Sequence, residues 1–291
     1  MTSFKASAAV FGLFILAGSA DAADVGKVSL PAVSGPNAKI EASFGFVDLN
    51  NFGSDEEFRG GASFSMPLGE SFGFQGDLAV VDVFDDTMIG GTAHLFTRDP
   101  GSYLFGMIGG AGFGDNANIY YAGPEAEFYL DQLSLELAGG YMNVDRDNGG
   151  SKNKMFAFAD VAFYATDDLR LSLGASSVAG FSAANAAAEL QLSGSGLPLS
   201  LTLNGSVGED GYMAASVGFK MYFGQEDKSL IRRHREDDPR NRSLDIFSSA
   251  GNAFANGPAA STPTGPIIGE CPPGEVDIDP GPGTSCVFEI G

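Results

Sequence analysis

The chain has 291 residues, with 16 Lys or Arg against 37 Asp or Glu and a formal charge of −21. That sign excludes a nucleic-acid binder, which needs a cationic face for phosphate. Charged residues make up only 18% of the chain, Gly (41) and Phe (24) are abundant and Trp is missing, which points away from an ordinary soluble domain, where about 25% of residues are charged.

The first predicted element is an export signal. Lys5 supplies a basic start, residues 8–17 (AAVFGLFILA) an apolar run, and Ala20-Asp21-Ala22 the small residues that a signal peptidase reads. The run is shorter than the about 20 residues a spanning helix needs, so residues 1–22 are expected to be cleaved. No later stretch is long and apolar enough for a transmembrane helix.

From 37 to 223 the chain alternates apolar with small or polar residues, the period-two signature of strands. Twelve segments are predicted, near 38–48, 57–66, 71–82, 87–98, 102–113, 117–130, 132–144, 153–165, 168–178, 183–193, 198–208 and 211–223. Leu169, Leu171 and Leu173 oppose Arg170, Ser172 and Gly174; Leu199, Leu201 and Leu203 oppose Ser200, Thr202 and Asn204. Only the strand around Phe156 and Phe158 reads ambiguously. Pro67-Leu68-Gly69-Glu70, Asp99-Pro100-Gly101, Asp131-Gln132 and Asp167-Asp168 are tight turns by composition. The intervening connections are more polar and several read as longer.

A soluble sandwich would carry charge on its outward face. Here the few charges share a face with Ser, Gly and Asn, and the other face is Leu, Phe, Val and Ala. Apolar outside and polar inside is what lipid demands. The fold class expected is therefore all-β: an antiparallel up-and-down transmembrane β-barrel of about twelve strands in the outer membrane of a Gram-negative cell, with both barrel ends in the periplasm. The close of the last segment, with Gly218, Met221 and Phe223, is similar to the C-terminal assembly signal of outer-membrane proteins, although 68 residues follow it. The assembly machinery, membrane lipid and lipopolysaccharide are the expected partners.

In that arrangement Glu41, Arg59, Asp77, His94, Arg98, Glu125, Glu127, Glu136, Arg170, Glu189 and Lys220 face the lumen, with Asp160 beside them. Two readings stand open. A wet pore so lined favours cations weakly, since acidic groups outnumber basic ones; paired charges filling a small barrel leave no conduit. Glu41 and Arg59 are a candidate pair. The predicted external loops are acidic at Asp55, Glu56, Glu57, Asp82, Asp85, Asp86, Asp145, Asp147, Glu209 and Asp210, and read first as a solvated surface. Asp145-x-Asp147-x-Gly149 only begins a calcium-loop pattern, so no metal and no cofactor is expected. Catalysis is not expected either. There are two histidines, His94 near the periplasmic end of its strand and His234 in the tail, neither suited to an outer-rim hydrolase.

Residues 224–291 form a tail, charged from 228 to 242 and Pro/Gly-rich from 251, which reads as disordered. A solvated tail is the first reading, a tether toward peptidoglycan the second, and a plug entering the barrel the third. Cys271 and Cys286 are expected to form a disulfide in an oxidising compartment, worth roughly 3 kcal/mol for so short a loop.

His94 to Pro100 (HLFTRDP), Gly123 to Tyr129 (GPEAEFY), Tyr164 to Leu169 (YATDDL) and Lys228 to Pro239 (KSLIRRHREDDP) resemble stretches of a family of exported proteins from alphaproteobacteria. The resemblance spans residues 36–240. It implies an exported, β-rich, porin-like architecture from that source, and carries no activity and no functional residues with it.

Overall fold

The computed structural model describes residues 30–49, 53–84, 86–146, 150–192, 198–224, 228–255, 275–277 and 286–288. The proposed signal peptide lies outside them. Twelve strands form one closed antiparallel barrel: β1 (Asn37–Leu49), β2 (Gly53–Leu68), β3 (Phe72–Val83), β4 (Asp86–Asp99), β5 (Tyr103–Phe113), β6 (Ala117–Leu130), β7 (Leu133–Arg146), β8 (Gly150–Thr166), β9 (Leu169–Val178), β10 (Phe181–Gln191), β11 (Leu199–Gly208) and β12 (Met213–Phe223). Each strand pairs with its neighbours in sequence, and β1 pairs with β12 from Ala38 opposite Phe223 to Asp48 opposite Met213. Closure leaves no strand edge unpaired, which a bilayer requires because it offers no water to a free backbone amide.

The period-two pattern decides which way each residue faces. Leu171 and Leu173, Leu201 and Leu203, and Val217 and Phe219 are exposed on the outer wall, while Arg170, Ser172, Ser200 and Thr202 between them are buried inward. The ambiguous strand resolves with Phe156, Phe158, Asp160, Ala162 and Tyr164 inward and Met155, Val161 and Phe163 outward.

We call the end where β1 begins and β12 finishes the terminal end, and the other the distal end. The distal connections are not longer than the terminal ones, contrary to the sequence reading. β2 starts at Gly53, β7 runs to Arg146 and β8 starts at Gly150, so polar residues read as loop continue the strands. Ala179 (φ 55°) and Gly180 (φ 96°) close one distal hairpin between paired Val178 and Phe181, the two left-handed residues of a two-residue type I′ turn.

After β12 come two helices, α1 (Leu230–Glu236) and α2 (Arg242–Ala255), and then a short antiparallel pair, β13 (Glu275–Asp277) with β14 (Cys286–Phe288). Both helices sit inside the barrel. The first reading of this region as a solvated tail is corrected for residues 228–251, whose side chains interlock with the wall. The expected disulfide involves Cys271 and the side chain of Cys286, which lie outside the described residues.

Candidate functional site: the filled lumen

At the terminal mouth, α1 is hung on the strand turns. The Leu230 amide donates to Asp168 Oδ1 (3.1 Å) and the Ile231 amide to the Asp167 carbonyl (3.0 Å). Lys228 Nζ donates to Asp237 Oδ1 at 2.6 Å, and Asp237 is also bonded by Ser34. Arg98 donates to the carbonyls of Ala32 (2.7 Å), Asp237 (3.0 Å) and His234 (3.2 Å), so it ties both the N-terminal approach and α1 to β4.

His234 sits between two tyrosines. Tyr222 Oη donates to Glu189 Oε1 (2.6 Å). Its lone pair is therefore left to accept from His234 Nε2 (3.2 Å), and His234 Nδ1 accepts from Tyr164 Oη (2.9 Å). A neutral imidazole satisfies this chain. Burial pushes the His234 pKa down to about 4, outweighing the upward pull of Glu189, and Arg170 and Lys220 add to the downward push.

The chain leaves α1 before Pro239, which disfavours helix at the residue preceding it. Asn241 then caps α2, its side-chain oxygen accepting from the Leu244 amide (3.4 Å). Around this break lies a belt of buried charge. Lys39 pairs with Asp238 and donates to the Pro239 carbonyl at 2.8 Å. Gln75, held by Ser65 (2.7 Å), donates to the Pro239 carbonyl (3.1 Å) and to Asp77 (2.8 Å). Arg242 is buried; its backbone amide meets Asp77 Oδ2 (3.2 Å), and its guanidinium lies 3.3 Å from Asp245 and 3.9 Å from Asp160. Arg240 reaches Asp245 (2.8 Å) and Asp160 (3.5 Å). Beyond this belt Thr92 Oγ1 meets Ser243 Oγ at 2.6 Å.

Toward the distal end the inner wall turns apolar. Ile246, Phe247 and Ala250 of α2 are fully buried in one cluster with Val81, Val83, Ile119, Tyr121, Met142, Val144 and Phe156. Phe247 and Tyr121 meet edge-on at 6.5 Å between ring centroids. A Cβ on Gly112 would stand 2.7 Å from the Phe247 ring, so the helix can approach β5 only because that residue is glycine. Glu57, read from the sequence as a solvated loop acid, points inward, pairs with Arg59 (2.6 Å) and accepts from Ser248 Oγ (2.9 Å).

All eleven residues assigned to the lumen by pattern face inward, but in different company from that expected. His94 bridges Asp77 and Glu125, at 3.0 Å from each. Arg170 pairs with Glu136 (2.7 Å), and Glu127 accepts from Tyr129 (2.8 Å). Lys220 joins Glu189 (2.9 Å) and Glu41 (3.8 Å). The expected Glu41–Arg59 pair does not form, because the register sets Glu41 opposite Lys220 on one side and Gly61 on the other. Met221 and Phe223 lie on the outward face of β12 and Gly218 on its inward face. Among the described residues, polar cavities of about 120 and 60 Å³ lie beside the helices, both lined by Arg59, Asn204, Arg240 and Asp245. At about 10–15 Å³ per water centre they hold several waters each.

The residues that sequence reasoning missed are those of the inserted segment: Asp238, Arg240, Arg242, Ser243 and Phe247. Two signals pointed to them. One was the apolar inward positions bunched at one end of the strands; the other was the apolar stripe Leu244, Phe247 and Gly251 along a supposedly disordered tail.

No protein-family model matches the sequence, and no curated protein is similar to it at a significant level. Among solved structures the chain is similar to the KdgM porin (TM-score 0.49, 10% identity, 64% of this chain and 99% of that one). It is also similar to outer membrane phospholipase A from Escherichia coli (0.43, 13%, 67% and 98%) and to the translocator domain of the autotransporter NalP from Neisseria meningitidis (0.44, 11%, 65% and 88%). At these values the likeness is one of chain path, and nothing is carried over from those proteins.

Proposed function

We propose that the chain is an outer-membrane β-barrel of the porin-like class whose conduit is held closed by its own C-terminal segment. The observation that carries this reading is the fit of residues 228–251 into the lumen, polar against polar at one level and apolar against apolar at the next. The membrane location rests on the closed wall and its apolar outer face, with Phe44, Leu78, Leu95, Met107, Leu173 and Leu203 among its exposed residues. The stretches HLFTRDP and KSLIRRHREDDP support an alphaproteobacterial source, and Gly218, Met221 and Phe223 an assembly signal.

Midway along the barrel, wall carboxylates outnumber wall cations, and the segment brings Arg240 and Arg242 to Asp160 of the wall together with its own Asp245. Without the segment the lumen is net acidic and prefers cations weakly. A second reading, a permanently closed structural barrel, is favoured by the apolar seal around Phe247, since withdrawal would expose that surface to water.

Planar-bilayer conductance separates the two. The full chain is expected to be silent, and a chain ending at Gly224 to give stable, modestly cation-selective steps. Silence from both, with each still shifting on a gel after heating, would leave the structural barrel.

A further inference from the structure

The contacts of the C-terminal segment run in one direction through the barrel. Leu230 is bonded at the β8–β9 turn of the terminal end, and Pro239 to Lys39 near the start of β1. Ser243 meets Thr92 in mid-barrel, Ser248 meets Glu57 near the distal start of β2, and Gly251 lies against Val83, the last residue of β3. α2 is 14 residues long, about 21 Å at the helical rise. Its C-terminal end is therefore at the distal rim, on the opposite side of the barrel from the ends of β1 and β12.

We infer that the chain is threaded: everything after Ala255 lies on the distal side of the membrane, which is the cell exterior when the barrel's ends are periplasmic. The inference rests on the membrane-barrel reading above. A polypeptide leaving the distal mouth has two ways back. One is the bilayer, closed to an unpaired backbone. The other is the lumen, where α2 and the belt around Arg242 already stand. Residues 256–291 contain no Lys or Arg, so nothing in them pairs with the acidic wall, and they pass it. The basic stretch before them stops where Asp160 and Asp238 meet Arg240, Arg242 and Lys39. Charge thus sets how far the segment advances. The Cys271–Cys286 region is displayed outside, and the tail has no reach to peptidoglycan.

The test uses the full chain in a Gram-negative host with Cys271→Ser and Cys286→Ser, carrying one new cysteine at a time: Asn116→Cys, Gln132→Cys or Thr262→Cys. Asn116 and Gln132 are exposed, in a distal and a terminal connection respectively. A membrane-impermeant maleimide is applied to intact cells and again after the outer membrane is opened. Threading predicts that position 262 labels with position 116 on intact cells, and that 132 labels only after opening. Labelling of 262 with 132 instead, while 116 reacts on intact cells, would overturn it. Equal labelling of 116 and 132, or no heat-modifiable barrel in the membrane fraction, would instead defeat the membrane-barrel reading. An epitope tag after Gly291 of the otherwise unaltered chain, probed by antibody on intact cells, gives an independent answer: binding supports threading and its absence until opening refutes it.

Discussion

The terminal and distal halves of the lumen meet the same inserted segment with different chemistry. In the terminal half Lys39, Gln75, Asp77 and Asp160 receive the turn before α2 and the first residue of α2 through ion pairs and hydrogen bonds. In the distal half Val81, Ile119, Tyr121 and Phe156 receive Ile246 and Phe247 by apolar contact, beside the Ser248–Glu57 hydrogen bond. Buried ion pairs add little net stability because desolvation offsets the attraction, yet breaking one strands a charge. Apolar burial is directly favourable, by roughly 1.5–3 kcal/mol for a Phe side chain. The polar half therefore fixes the position and register of the segment, and the apolar half supplies most of its affinity.

Putting a charge in the apolar half tests this division most severely. Phe247→Asp is expected to weaken docking by about 4 kcal/mol or more, from the lost ring and the buried carboxylate together. Protease cleavage of the segment within a barrel that still shifts on heating is the measurement. Next in size, Lys39→Met leaves the Asp238 carboxylate buried without its cation and is expected to cost about 3–5 kcal/mol. Adding Asp238→Leu should recover most of that loss, and a double-mutant cycle read by thermal unfolding gives the coupling. If the double variant is as unstable as the single, the polar half contributes affinity as well as register.

The smallest effect is at the mouth. His234 is neutral in the docked segment, with its pKa down at about 4, against about 6.5 when free. Between those values the free segment binds a proton that the docked one does not, so docking is undiminished above pH 6.5 and weakens as pH falls toward 4. Protease sensitivity of the segment should rise over that range, and His234→Gln should remove the part of the rise that this ring causes.

Strand number and facing were legible because a barrel with an apolar outer wall and a polar lumen imposes a period of two on every strand, whereas several distal boundaries were not, since polar residues continue β2, β7 and β8. Val207, Leu201 and Phe219 point out for the same reason that Ser200, Thr202 and Lys220 point in. The inserted segment was legible only in the short apolar stripe of Leu244 and Phe247. Its mixed charges, Arg232 to Asp238, have the composition of a solvated run, and their partners Lys39 and Gln191 are distant in sequence and face them only once the barrel closes. Phe156 and Phe158 were ambiguous for the same reason. Both faces of their strand are apolar there, one on the outer wall and one toward α2. The pairing of Glu41 depended on register, which alternation alone leaves free.

The most direct test of a filled lumen is a cross-link between wall and segment. Thr92 Oγ1 and Ser243 Oγ are 2.6 Å apart, near enough for their Cβ atoms to suit a disulfide. With Cys271→Ser and Cys286→Ser in place, Thr92→Cys with Ser243→Cys is expected to oxidise readily in the folded barrel, giving a change in mobility that a reductant reverses. A barrel that folds and shifts on heating, yet leaves both thiols free under oxidant, would contradict the insertion of residues 228–255 into the lumen.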